Sequence, residues 1–178
     1  MNYATIKRHD ISNGPGVRVS LFVSGCTRHC PNCFNPETWD FAYGEPCGQA
    51  VIDSLLASLA PSYIRGFSLL GGEPMEPANQ TGVLEIARQV RERFPDKSIW
   101  CYSGYLFEQL RDGSIGDGET VRQLLALLDV LVDGPFVEEL KNPALRFRGS
   151  SNQRIIDVPA SLQRGEVVLW DDARLSEV

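Results

Sequence analysis

Val17-Arg18-Val19-Ser20-Leu21-Phe22-Val23-Ser24-Gly25-Cys26-Thr27-Arg28-His29-Cys30-Pro31-Asn32-Cys33 is the stretch on which the fold turns. Its first seven residues alternate apolar and polar and then become apolar, the pattern of a strand entering a core. Gly25 ends the strand, and a cysteine loop follows at once. Three of the chain's five cysteines fall within eight residues there, spaced Cys-x3-Cys-x2-Cys. Iron–sulfur clusters are held by cysteine thiolates, and a 4Fe–4S cubane has four irons to ligate. The loop supplies three thiolates and no near fourth, which leaves one iron open. An open coordination position belongs to reactive metal sites rather than structural ones. Other readings stand beside this one. A zinc site could use the three thiolates with His29 as fourth ligand, although adjacent His29 and Cys30 strain a shared tetrahedron. A ferredoxin loop would show Cys-x2-Cys-x2-Cys and a distant Cys-Pro pair, and has neither here. Disulfides require an oxidising compartment.

Outward from this stretch, the chain alternates strand and helix. Asp10 to Gly16 is a turn-rich lead-in punctuated by Asn13-Gly14-Pro15-Gly16. After the loop, Val51, Ile52, Leu55, Leu56 and Leu59 predict a helix from Gly48 to Leu59, stopped by Pro61. Ile64 to Leu70 reads as a second strand, and Gly82 to Phe94 as a second helix with Val83, Ile86, Ala87, Val90 and Phe94 inward. Lys97 to Tyr102 is a third strand. A brief helical turn near Leu106 to Leu110 leads through a Gly/Asp-rich loop to a third helix, Glu119 to Leu128. Val130 to Val132 is a fourth strand, while Ile155 to Val158 and Val167 to Trp170 are further candidates. The last eight residues form a polar tail. This alternation argues for an α/β fold with a parallel sheet and right-handed crossovers. A closed eightfold barrel takes about 250 residues, so this chain can supply five to six strands of a partial, open β/α barrel.

Composition narrows the class. The 178 residues fit one domain, and 43% hydrophobic content supports a real core. Seventeen basic against 23 acidic side chains give a formal charge of −6, a poor match to nucleic-acid binding. No apolar leader and no run of about 18 apolar residues is present, so no membrane partner is expected. A cytoplasmic location follows, in which clustered thiols stay reduced and read as metal-binding or catalytic.

Four motifs each follow a predicted strand: the cysteine loop, Gly71-Gly72-Glu73-Pro74, Tyr102-Ser103-Gly104 and Asp133-Gly134-Pro135. Ligands of parallel sheets and barrels bind at that edge, so the four converge on one mouth. Glycines let a backbone bend sharply and approach a ligand, and their carbonyls, with Glu73 nearby, can accept from an ammonium group. An ordinary strand-to-helix turn is the other reading of that motif. Cys101, in a strand, reads as a buried apolar filler. Cys47 lacks metal spacing, and neither is given a role. Arg146-Phe147-Arg148-Gly149-Ser150-Ser151-Asn152-Gln153-Arg154 carries three arginines in nine residues. That segment is either a solvated loop or a polar rim for a partner or substrate.

Together the cysteine loop and the Gly-Gly-Glu-Pro turn resemble the radical S-adenosylmethionine family. Asp10-Ile11-Ser12-Asn13-Gly14-Pro15-Gly16-Val17-Arg18 and Leu21-Phe22-Val23-Ser24-Gly25-Cys26 resemble its glycyl-radical-enzyme activating proteins. Cys33-Phe34-Asn35-Pro36-Glu37-Thr38-Trp39, Val132-Asp133-Gly134-Pro135-Phe136 and Arg148-Gly149-Ser150-Ser151-Asn152-Gln153-Arg154 are similar to one branch, which serves anaerobic ribonucleoside-triphosphate reductase. The resemblance covers residues 1–158 as the activating domain and leaves 159–178 as an extension of unknown role. It implies that Cys26, Cys30 and Cys33 hold a 4Fe–4S cluster whose open iron chelates S-adenosylmethionine. It also implies that Gly71, Gly72 and Glu73 hold the methionyl amino group; Ser103 and Gly104, which end the third strand, either reach the ribose or carboxylate or cap a helix. The family's aromatic residue before the third cysteine is replaced here by Asn32; Asn32 by its backbone and Phe34 by its ring are the expected contacts. Reductive cleavage of the cofactor would yield a radical that takes hydrogen from a glycine of the reductase, with flavodoxin or ferredoxin as electron donor. No side chain is expected to act as an acid or base. The alternatives are activation of another glycyl-radical enzyme such as pyruvate formate-lyase, a radical enzyme acting on a small molecule, and a zinc-stabilised interaction module.

Overall fold

The computed structural model describes residues 1–171. In chain order the elements are β1 (Asn2–Asp10), β2 (Val17–Val23), β3 (Glu45–Pro46), α1 (Gln49–Leu59), β4 (Ile64–Gly71), α2 (Pro77–Arg93), β5 (Ser98–Tyr102), α3 (Phe107–Arg111), α4 (Gly118–Leu127), β6 (Val130–Asp133), β7 (Arg154–Asp157) and α5 (Val158–Arg164). The strands form one sheet in the order β3-β1-β2-β4-β5-β6-β7. Its centre is the expected parallel ladder: β2, β4, β5 and β6 run side by side in one direction. On one flank β1 runs antiparallel to β2 and to β3, and on the other β7 runs antiparallel to β6.

Side chains alternate across a strand, so each central strand sorts its residues between two faces. Val19, Leu21 and Val23 of β2, Phe67 and Leu69 of β4, and Ile99 and Cys101 of β5 point toward the helices, where they are fully buried. They meet Leu55 and Leu59 of α1, Val83, Ile86 and Val90 of α2, and Val121 and Leu124 of α4. The other face carries Arg18, Ser20, Ser68, Trp100 and Tyr102, with a small cluster of Trp100, Val130 and Val132 toward β7.

The sheet has seven strands, not five or six. The two additions, β1 and β3, lie on one flank. β1 carries Lys7-Arg8-His9, exposed at three successive positions before the buried Asp10, which hides its period. β3 is only two residues long. Helix α2 begins at Pro77, five residues before the expected Gly82, because proline at a first helical position needs no amide partner. After β7 the chain does not simply trail away. Asp157 caps α5 through the Ala160 amide at 3.0 Å. The segment then returns along β7, with Trp170 N donating to Ile155 O at 2.9 Å and the Trp170 ring edge-on to Trp100 at 5.2 Å. Val167 to Trp170 thus pairs with β7 through one bridge, Ile156 to Leu169, rather than as a full strand. All of the polar tail but Asp171 lies outside the described residues.

Candidate metal centre

All four strand-end motifs line one cavity of about 430 Å³ on the helix-free face, at the carboxyl edge of the parallel strands. Cys26, Cys30 and Cys33 share its wall with Gly71, Gly72 and Glu73, and Tyr102, Ser103 and Gly104 stand beside them. Gly134 and Phe136 bring in the turn after β6. The volume is of the size that small-molecule and cofactor sites occupy.

The cysteine loop is tightly wound. His29 and Asn32 both adopt left-handed backbone, at φ 47° and 54°, and Cys33 N donates to Cys30 O at 3.1 Å. Cys26 is buried; Cys30 and Cys33 are half-buried. Burial pushes the Cys26 thiol up to about 11, with Glu73 and Glu76 adding to the rise, while the backbone amides of Arg28 and His29 pull against it. Asn35 N approaches Cys33 Sγ at 3.4 Å. Amides aimed at sulfur suit thiolates bound to iron and are one means of setting a cluster's potential. The donor set therefore fits a cluster held by three thiolates. A tetrahedral zinc site would need four donors on one point. Among the described residues no group of three or more His, Cys, Asp or Glu side chains, the three loop thiols included, converges on a single ion, whereas a cubane takes each thiol on a separate iron. The His29 ring lies against Trp39, centroids 4.6 Å apart.

The Gly-Gly-Glu-Pro turn is docked against the root of the cysteine loop. Gly71 has φ 106°, and a Cβ there would lie 2.7 Å from Val23 N and O; one on Gly72 would lie 2.7 Å from Gly25 O. Gly72 N and Glu73 N donate to Val23 O and Gly25 O at 2.8 and 2.9 Å. The glycines are thus required first by the close approach of two protein backbones. Glu73 is 1% exposed, and its carboxylate is already engaged: it accepts from Met75 N at 2.9 Å and Gly104 N at 2.7 Å. Burial pushes its carboxyl up to about 7, despite these amides, Ser103 and the nearby Arg28 charge. What this turn leaves to a ligand is backbone more than carboxylate.

Other expected residues fall out unevenly. Ser103 lines the cavity, and its hydroxyl accepts from Tyr105 N at 3.1 Å. Phe34 stands at the mouth, 62% exposed, 5.0 Å from the Phe136 ring. Asn32 is exposed and is not part of the cavity wall. Cys101 is fully buried among the helix-facing residues. Of the three arginines in 146–154, Arg148 lines the cavity and Arg146 lies over the Phe147 ring. Arg154 instead bridges buried Asp133 and Glu108, which also anchors the turn after β6. Arg28 Nε, Trp39 Nε1 and Tyr102 OH are buried in cavity-lining residues with no hydrogen-bond partner among the described residues. Orphaned polar atoms in a cavity are what a polar ligand would satisfy.

A family description, 4Fe-4S single cluster domain, matches residues 12–156. Among curated proteins, the chain is 43% identical over 157 residues to the anaerobic ribonucleoside-triphosphate reductase-activating protein of Vibrio cholerae, covering 87% of this chain and 97% of the relative. The chain belongs to the family of anaerobic ribonucleoside-triphosphate reductase-activating proteins. The Escherichia coli K12 protein of that name is 41% identical over 155 residues, 86% of this chain and 96% of the relative. The Enterobacteria phage T4 protein is 37% identical over 155 residues, 87% and 93%.

Besides cavity-lining Arg28, Trp39 and Tyr102, three residues that brace the site escaped sequence reasoning. Glu76, 6% exposed, accepts from both the amide and the hydroxyl of Thr27 at 3.1 Å, which fixes the start of the cysteine loop. Asn79 donates to Ser24 O and Glu73 O, each at 3.0 Å, and so ties that loop to the Gly-Gly-Glu-Pro turn. Arg18, fully buried, donates to Ser68 Oγ, Ser98 Oγ, Phe67 O and Ser98 O at 2.8–3.0 Å, and more weakly to Pro15 O. It pins the lead-in loop, whose Ser12 and Asn13 close one side of the cavity. Glu76 and Asn79 lie on the expected Gly-Gly-Glu-Pro-to-helix connection, but nothing local marks them. Burial pushes the Arg18 guanidinium down to about 10, while every donor is occupied.

Proposed function

We propose that this chain is the radical S-adenosylmethionine activase of an anaerobic ribonucleoside-triphosphate reductase. The observation that carries the reading is the meeting of all four strand-end motifs around one cavity whose wall holds three thiols from a single loop. Cys26, Cys30 and Cys33 would hold the 4Fe–4S cluster. When bound, the cluster and S-adenosylmethionine would supply reductive radical chemistry directed at a glycine of the reductase.

The chain's own residues bind, orient and shield. The Gly71–Gly72 backbone receives the methionyl amino group, with Glu73 bracing Gly104 behind it. Ser103 and Phe34 contact the cofactor, Phe34 from the mouth. The helix-free face corresponds to the inside of a partial barrel, open on the side where the partner's glycine loop would enter. Residues 1–158 make up the activating unit and 159–178 an extension, in keeping with a family match that ends at 156. Flavodoxin or ferredoxin would deliver the electron, and the protein would work in the cytoplasm. Among the described residues no helix is long and apolar enough to cross a membrane.

The test is anaerobic incubation of the reconstituted protein with the reductase, S-adenosylmethionine and a low-potential reductant, followed by electron paramagnetic resonance. A glycyl-radical signal on the reductase is expected. Its absence with a fully loaded cluster, or its appearance only on pyruvate formate-lyase, overturns the assignment.

A further inference from the structure

Two arginines line the cavity, and their circumstances differ. Arg148 donates to Gln153 O at 2.7 Å. Arg28 makes no hydrogen bond: its Nε is buried without a partner among the described residues. Its guanidinium is nonetheless held in place. It lies 5.0 Å over the Tyr105 ring and packs so closely on Gly104 that a Cβ there would sit 2.3 Å from Nε. A buried N–H left unpaired is costly, so Nε calls for an acceptor from outside the chain. The anion nearest to hand, Glu73, already accepts two backbone amides.

The geometry points to Arg28 as the residue that receives the carboxylate of a zwitterionic amino-acid head group in this cavity. The inference rests on the proposed binding of S-adenosylmethionine and deepens it, by naming the side chain that fixes the methionyl carboxylate. The shape is right for a carboxylate, because a guanidinium offers a planar fork of donors that a carboxylate meets with two oxygens. The charge balance is right for a zwitterion. Arg28 offers a cation with no hydrogen-bonded anion of its own, while buried Glu73 and the Gly71–Gly72 backbone stand close by to favour the ammonium end. A phosphate dianion would face that same buried carboxylate with no ammonium group of its own to offset the repulsion. The ring of Tyr105 beneath and the bare Gly104 beside it hold the fork ready, so little side-chain freedom is lost on binding. Gly104 has a second function on this view: its missing side chain is the space the guanidinium occupies.

The experiment measures S-adenosylmethionine affinity by anaerobic equilibrium dialysis of the cluster-loaded full chain, with iron and sulfide assayed on the same samples. Arg28→Gln is expected to weaken binding about 10- to 100-fold, the worth of a charge-assisted hydrogen bond, with iron and sulfide unchanged. Arg28→Lys should recover part of the loss. Gly104→Ala should lose part of the affinity by displacing the guanidinium, and the double variant should bind no more weakly than Arg28→Gln alone. Arg28→Gln binding as tightly as the unaltered protein overturns the inference, as does loss of iron from that variant, which would give Arg28 a role in folding the loop. An unaltered cluster-loaded protein that binds no S-adenosylmethionine at all refutes the proposed function instead.

Discussion

Ser68 and Leu69 are neighbours on β4 and face different surroundings. Leu69 is fully buried among the aliphatic side chains beneath the helices. Ser68, also fully buried, accepts from Arg18 Nε at 2.8 Å and donates to Asn13 O at 2.6 Å. The same alternation runs through β2 and β5, where Val19 and Ile99 face the helices and Arg18 and Trp100 face away. One face of the sheet is filled by shape, and the other is held by hydrogen bonds around a space. The helix-covered face supplies rigidity, whereas the helix-free face keeps small polar groups so that a cavity survives where the strand ends converge.

The comparison can be broken most decisively with cysteine. Cys26→Ala, Cys30→Ala and Cys33→Ala should each lose the cluster iron and sulfide after anaerobic reconstitution, while Cys101→Ala, on the helix-covered face, should keep both. A Cys101→Ala protein devoid of iron would mean that the two faces are not divided as described. Next in size is Leu69→Ala, which should cost about 2–5 kcal/mol by the area lost and the void left, read as a lower urea midpoint.

A third prediction concerns pH. Glu73 titrates near 7 in the fold against an ordinary carboxyl value of 4.5, raised chiefly by burial. The folded state therefore holds this proton more tightly, so its contribution to stability is fully present below pH 4.5 and is lost as pH rises to about 7. The full loss would be roughly 3 kcal/mol at most. Urea unfolding of cluster-free protein should show the gap between the unaltered protein and Glu73→Gln changing across that window, and staying level above it. A pH-independent gap would refute the buried-carboxyl reading. The smallest effect is expected of Ser68→Ala, about 1–2 kcal/mol, because it leaves Arg18 Nε and Asn13 O without partners in a buried place. Were Ser68→Ala as damaging as Leu69→Ala, the helix-free face would matter to stability as much as the core.

The four parallel strands were legible because each is a short apolar run closed by a glycine turn, and α1 and α4 because their apolar residues recur at helical spacing. Other elements were hidden for physical reasons. β1 exposes Lys7, Arg8 and His9 at successive positions, so no alternation survives to be read. Pro74, Pro77 and Gly82 look like breakers, yet Pro77 opens α2 and Gly82 sits inside it. At the site, the thiols and the Gly-Gly-Glu-Pro turn were visible as local spacings. Glu76, Asn79 and Arg18 were not, since each acts on backbone or hydroxyl groups far away along the chain. The role of Glu73 also changed: its carboxylate serves two amides of the protein before it serves any ligand.

The sequence by itself determined the spacing of three thiols on one loop, the order of strand and helix, and the placing of a turn after each central strand. These are local matters, settled by covalent distance and by the period of apolar residues. Only the tertiary structure decided which carboxylates are consumed in bracing the turns, which arginine is locked into the sheet and which is left with an unpaired donor. Those outcomes depend on strand ends from distant parts of the chain meeting at one edge, where burial makes every unpartnered polar atom costly and so sorts the groups that hold the fold from those left for a ligand.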